Sequence, residues 1–253
     1  MNPLLRELLT DLKAAALIGH PESLTSALDG IRALDDDQLP PSALVPLGRA
    51  LTPLPAQTLK PLYVDDDPAI RALVSVALGE RFMQGKEVSA TDLGILAEDP
   101  NPEVRAALAR ALIEFTPARP EKLPPLIEAW LKPAQQTNKS PNPQIHPALL
   151  LLPFSPLPPF DRLTPLDLLE DHDLRDTLLL CVNTLAEKGY AAPVLDLLAT
   201  WAARPTPNVW LLTRALSASW TLAHREQATR ILQELAKQAG MIRPIVRALE
   251  RFA

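Results

Sequence analysis

Asp67-Pro68-Ala69-Ile70-Arg71-Ala72-Leu73 is followed 34 residues later by Asn101-Pro102-Glu103-Val104-Arg105-Ala106-Ala107-Leu108. Both stretches run on with apolar residues every three or four positions: Ile70, Leu73, Val74, Ala77, Leu78 in the first, and Val104, Ala107, Leu108, Ala111, Leu112 in the second. That period is helical. A polar side chain before proline caps the helix start, and proline fits the first turn, where no backbone N–H is needed. A β-branched residue then opens the buried stripe.

The pattern recurs in altered form along the chain. Pro141-Asn142-Pro143-Gln144-Ile145-His146 places His where Arg105 stands, and Pro205-Thr206-Pro207-Asn208-Val209-Trp210 places Trp there. Asp173-Leu174-Arg175 opens a helix through Leu185, and Pro244 to Leu249 forms the last copy. Upstream, Ser42-Ala43-Leu44-Val45 answers Arg71 to Val74, each after an Asp triplet, Asp35 to Asp37 and Asp65 to Asp67. Anchors at 42, 71, 105, 146, 175, 210 and 247 are spaced 29, 34, 41, 29, 35 and 37 residues apart. Second apolar helices are expected between them, at Thr91 to Ala97, Leu123 to Leu131, Leu166 to Leu169, Val194 to Trp201 and Ala228 to Leu235. Two helices per unit predict an all-α fold, a right-handed α-α superhelix of about seven irregular helical pairs.

The Asp-x-Pro-x-[Val/Ile]-Arg helix start resembles the HEAT repeat, including its short lyase-associated subclass. The resemblance implies that Asp67, Arg71, Asp99 and Arg105 form a structural ladder between stacked helices, with Arg175 as a further candidate. It also implies a protein-binding scaffold.

Composition agrees with many short helices. The chain of 253 residues holds 28 prolines but only 8 glycines, and aromatic residues are 4%, so the core must be aliphatic. Disordered and collagen-like chains raise proline and glycine together. Some prolines punctuate the repeat: Pro68, Pro102 and Pro207 are expected at equivalent helix starts. Eight others fall between Pro133 and Pro159. Proline removes a donor and clashes with the preceding turn, so residues 133–160 are expected to be irregular. They would join two halves, 1–132 and 161–253, of a single solenoid. The tail of that segment, Leu149 to Phe160, is strongly apolar. Either it folds back over the core, or it exposes Phe154 and Phe160 as a contact surface.

Catalytic signatures are weak throughout. Between Gly79 and Gly85 lie five residues, and Lys86 is followed by Glu87, so the spacing and hydroxyl of a phosphate loop are missing. His20, His146, His172 and His224 share no His-x-x-x-His spacing. The run Glu170-Asp171-His172-Asp173 reads as an acidic helix start favoured by the dipole, and the Asp triplets read the same way. Cys181 lies in the apolar run Leu178 to Val182, where cysteine is an inert core residue. A lone cysteine permits no internal disulfide and suits a reducing compartment. Met1 to Glu7 reads as an amphipathic helix rather than a signal peptide, and no apolar run reaches membrane-span length. A cytoplasmic protein is expected.

Net charge is −5 but uneven. Residues 1–175 carry 16 Lys/Arg against 24 Asp/Glu, while residues 176–253 carry 9 against 6. The acidic body argues against nucleic acid, which needs many phosphate-neutralising contacts. The expected function is therefore a non-catalytic adaptor with a protein partner and no cofactor or metal. Trp201, Trp210 and Arg214 are candidate partner contacts, since large aromatics anchor interfaces. Equally, the tryptophans could simply cover the stack near its C-terminal end. Two alternatives come from the resemblance. One is a HEAT-like DNA-alkylation-repair glycosylase using Trp201, Trp210, Trp220, Arg214, Arg225 and Arg230. The other is a bilin-lyase-like subunit.

Overall fold

Proline at the first helical position recurs along the first half of the chain in the computed structural model, which describes residues 3–35, 38–131, 142–168 and 171–252. The first seven helices are α1 (Pro3–Ile18), α2 (Pro21–Arg32), α3 (Pro41–Ala50), α4 (Ala56–Leu59), α5 (Pro68–Met83), α6 (Ala90–Ala97) and α7 (Pro102–Phe115). Five of these begin on proline. Its fixed φ suits the first turn and its missing N–H costs nothing there. Asp67 caps α5 by accepting from the Ala69 amide at 2.7 Å, and Asn101 caps α7 by accepting from Glu103 at 2.8 Å. Ser89 and Asp92 close a reciprocal capping box on α6.

Every regular element among the described residues is helical, and none is a strand. No helix among them is long and apolar enough to cross a membrane. The chain divides into two compact units, Met1–Leu126 with His146–Pro156, and Ile127–Ile145 with Leu157–Ala253.

In the first unit α5 lies between α3 and α7, and α6 packs on both α5 and α7. Every residue of α5 from Ala72 to Arg81 is buried. A helix covered on all sides needs no polar face, which is why its apolar stripe spreads around the cylinder. Close approach is made by small residues: Gly48 of α3 sits against Leu73 and Val76, and Gly79 of α5 against Leu108 and Ala111.

The division cuts α8 (Leu123–Leu131) between Leu126 and Ile127. Within the stretch expected to be irregular, Ile145–Leu151 is an α-helix, α9, continued by a 3-10 turn over Leu152–Phe154. Pro143 precedes that helix and Pro147 lies in its first turn, so neither proline interrupts a needed hydrogen bond. Proline density excludes long helices, not a two-turn one. Leu149, Leu151 and Leu152 are buried, whereas Leu157 is 80% exposed. Residues 133–141 of that stretch lie outside the described residues, as do Asp36, Asp37 and Glu170.

The second unit contains α10 (Phe160–Leu163), a 3-10 segment over Thr164–Leu168, α11 (His172–Leu185), α12 (Ala191–Ala202), α13 (Val209–Leu216), α14 (Arg225–Ala239) and α15 (Arg243–Glu250). A wide turn at Ala186–Tyr190 joins α11 to α12, with Gly189 at φ 101°, a conformation that favours glycine. Packing alternates. Helix α13 lies against both α11 and α15, while α12 lies against α14.

Helix α13 starts two residues later than the sequence suggests. Pro207 precedes the cap instead of opening the helix, and Asn208 is the cap, accepting from the Leu211 amide at 3.1 Å. The Asn208 side-chain Nδ2 also donates to the Asp167 backbone carbonyl at 2.9 Å, a tertiary bond that favours this start.

Candidate functional site

The repeat motif places an acid two residues before each cap. Asp65 Oδ1 accepts from the Asp67 amide at 3.0 Å, and Asp99 Oδ1 accepts from the Asn101 amide at 2.8 Å. One turn into each helix an arginine reaches back to the same loop. Arg71 Nη1 donates to the Asp65 carbonyl at 2.7 Å, and Arg105 Nη1 donates to the Asp99 carbonyl at 2.6 Å. Arg71 also crosses to the next repeat, gripping Asp99 through Nε at 2.7 Å and Nη2 at 3.1 Å. Arg32 pairs in the same way with Asp65 at 2.5 Å.

Arg71, Asp99 and Arg105 are thus joined, but Asp67, expected among them, is not. Its side chain caps α5 and does not reach across to a neighbouring arginine, and Asp65 holds the ladder position instead. The sequence carried the signal, because Asp65 lies 34 residues before Asp99 just as Arg71 lies 34 before Arg105. Arg32, which comes from the preceding helix end, had no such signal.

The opposite ends of the same helices carry a second ionic cluster. Arg49 bridges Glu80 at 3.3 Å and Glu114 at 2.8 Å, and lies over the Phe115 ring at 5.1 Å. Thr52 Oγ1 donates to Glu80 at 3.0 Å, and buried Arg81 donates to the Thr52 carbonyl at 2.8 Å. Carboxylates near helix C-termini are disfavoured by the dipole, and Arg49 offsets two of them.

Among the residues singled out by sequence, Trp210 and Arg214 come together in the second unit. They are one turn apart on α13, so their side chains share a face. The Arg214 guanidinium lies 5.6 Å from the indole centroid. Helix α11 adds Arg175 at 5.4 Å and the His172 ring at 6.4 Å, tilted by 48°. His172 Nδ1 is 3.4 Å from Asp176. Arg175 and Arg214 form no ion pair with a described carboxylate, and the buried Arg175 Nε has no hydrogen-bond partner among the described residues. Trp210 is half-buried. An indole beside two guanidinia that pair with no described carboxylate suits an anionic or carboxylate-bearing group. Sequence reasoning missed His172 and Arg175 here. Their three-residue spacing on α11 marks one face, but only the packing of α11 on α13 brings that face to Trp210.

A buried network sets where Trp210 stands. Asp167 is fully buried and pairs with Arg204 at 2.5 Å. Arg204 also donates to the Thr164 carbonyl at 2.6 Å. Burial pushes the Asp167 carboxyl up to about 6, with Arg204 opposing only part of that rise. Together with the Asn208 bond to Asp167, these contacts tie the 3-10 segment to the end of α12 and the start of α13.

The other candidates are dispersed. Trp201 is not a surface residue: it is wholly buried, and its indole N–H donates to the Thr164 carbonyl at 2.9 Å. An apolar helix face packed on α14 and α10 takes it inside. Phe160 is half-buried with its ring 5.9 Å from that of Tyr190, and Phe154 is half-buried in the first unit. Trp220 donates to Asn183 at 3.0 Å, and Arg230 lies 3.9 Å from Glu226. Cys181 is buried, which pushes its thiol well above the usual range. The described residues contain no group of three or more metal-ligating side chains.

Neither a family model, a curated protein nor a solved structure matches the chain.

Proposed function

We propose that each unit is a HEAT-like stack of helical pairs and that the chain is a non-catalytic cytoplasmic scaffold. Its Trp210 surface takes a carboxylate-rich segment of a partner protein. The observation that carries this reading is the half-buried Trp210 beside Arg175 and Arg214, neither of which pairs with a described acid. The alternating packing of α11 to α15 supports the repeat reading, as does the 34-residue register shared by Asp65, Arg71, Asp99 and Arg105. Large aromatics and arginine dominate the binding energy of protein interfaces, and unpaired guanidinia favour acidic partners.

The nucleic-acid alternative has less support. Trp201, which it places on a binding surface, is buried.

The test is affinity purification of the tagged chain from its native cell, with mass spectrometry, beside the double variant W210A/R214A. A partner set recovered by the wild type and reduced at least about tenfold by the variant is expected, with unchanged helical circular dichroism. Recovery of no protein while a small molecule or nucleic acid co-purifies would sink the reading.

A further inference from the structure

A groove of about 450 Å3 opens in the first unit where the N-terminal ends of α3, α5 and α7 come together. That is within the usual range of binding pockets, roughly 300–1,000 Å3. Its floor is apolar, formed by buried Ile31, Leu44 and Ala72, and half-buried Leu34 and Leu39 make its wall. Among the described residues its charged lining is acidic: Asp35, Asp67 and Glu103.

These carboxylates are only partly compensated, Asp67 through the field of nearby Arg71. Asp35 and Asp67 make no ion pair among the described residues, and Glu103 lies 3.6 Å from Arg110. Arg110 stands at the groove's edge, its Nη1 donating to the carbonyl of lining Pro41 at 3.4 Å, while Arg32 is engaged by Asp29 and Asp65 outside the lining. The helix ends do not make this an anion site, because Asp67 and Asn101 already accept from the first-turn amides of α5 and α7. Negative charge around an apolar floor attracts a cation, but charge alone leaves the floor wet.

We propose that this groove docks a basic, apolar segment of a partner protein, one that seats leucine-like side chains on the floor and lysine or arginine against Asp35, Asp67 and Glu103. The groove belongs to the first unit and its occupant has the opposite charge to that proposed for Trp210, so the two readings stand or fall separately.

The probe is a short fluorescein-labelled peptide alternating Lys and Leu, titrated by anisotropy into the full chain. Controls are a Lys/Ser peptide, a Glu/Leu peptide and spermidine as competitor. The Lys/Leu peptide is expected to bind at least about tenfold more tightly than Lys/Ser, with Glu/Leu not binding. The triple variant D35N/D67N/E103Q keeps the asparagine cap on α5 and should weaken binding at least about fivefold. Ala69→Phe blocks the groove without changing net charge and should abolish binding; Ala69→Gln is the milder blocking variant should phenylalanine disturb the fold. A basic peptide held only by the acidic body would bind both Ala69 variants as well as wild type. That result overturns the proposal, as does equal binding of Lys/Ser, full displacement by spermidine at matched charge, or no binding of Lys/Leu.

Discussion

Arg71 holds Asp99 with a two-pronged ion pair across 28 residues of chain, Nε to Oδ2 at 2.7 Å and Nη2 to Oδ1 at 3.1 Å. The same guanidinium donates to the carbonyl of Asp65, so a single side chain ties its own loop to the following repeat. Both partners are largely buried, with 13% and 5% of their side chains exposed. Removing one leaves an uncompensated charge in low dielectric. Arg71→Ala is expected to destabilise by about 2–4 kcal/mol, and Arg71→Lys by about 1–2 because an ammonium cannot fork. Asp99→Asn keeps an acceptor for the Asn101 amide and removes the charge. A double-mutant cycle of Arg71→Ala with Asp99→Asn, read by urea unfolding, should show coupling of about 1–3 kcal/mol. Coupling near zero would mean the ladder does not hold the repeats.

The two glycines at helix contacts should respond differently to alanine. At Gly48 an added methyl would lie 2.6 Å from Val76 Cβ and 2.7 Å from the Leu73 carbonyl oxygen. Neither can move without shifting α5, so Gly48→Ala should cost about 2–3 kcal/mol. At Gly79 the nearest atoms are Ala111 Cβ at 3.3 Å and Leu108 Cδ1 at 3.4 Å. There the gain in helix propensity, up to about 1 kcal/mol, nearly balances the tight fit. Thermal melts should place Gly48→Ala several degrees below Gly79→Ala. Equal melting points would show that α3 and α5 are less closely packed than described.

Stability should depend on pH through Asp167. Its carboxyl titrates at about 6 in the folded chain against about 3.9 unfolded, so the folded state takes up the proton first. The stabilising contribution is fully present below the unfolded value and is lost as pH rises through about 6. With Asp167→Asn as the reference lacking this titration, the wild type should gain on the order of 2–3 kcal/mol relative to it between pH 7 and pH 4. Urea unfolding of both proteins across that range measures the difference. A flat difference, or one of opposite sign, would mean the carboxylate is stabilised by Arg204 more than it is penalised by burial.

Local signals were legible where the physics is local. The boundaries of α5, α7, α8 and α11 follow from a capping side chain or proline at one end and an apolar period of three to four, all set within a few residues. The same applies to Cys181, whose apolar neighbours place it inside. Trp201 shows the limit. Its neighbours resemble those of Trp210, yet one ring is sealed in the core and the other half-open, because burial depends on which helix packs opposite.

The start of α13 separates the two sources of information. The sequence by itself supports a helix there and, by analogy with Pro68 and Pro102, starts it at Pro207. The tertiary structure instead starts it at Val209, where the Asn208 side-chain amide donates to the backbone carbonyl of Asp167, the residue whose carboxylate pairs with Arg204. That choice sets the turn of α13 on which Trp210 and Arg214 stand beside Arg175. The helices and their repeat were therefore determined by neighbours along the chain. The ion pairs, the groove and the tryptophan surface were decided by groups from about 28 to about 72 residues apart, and desolvation on packing makes their few charges matter.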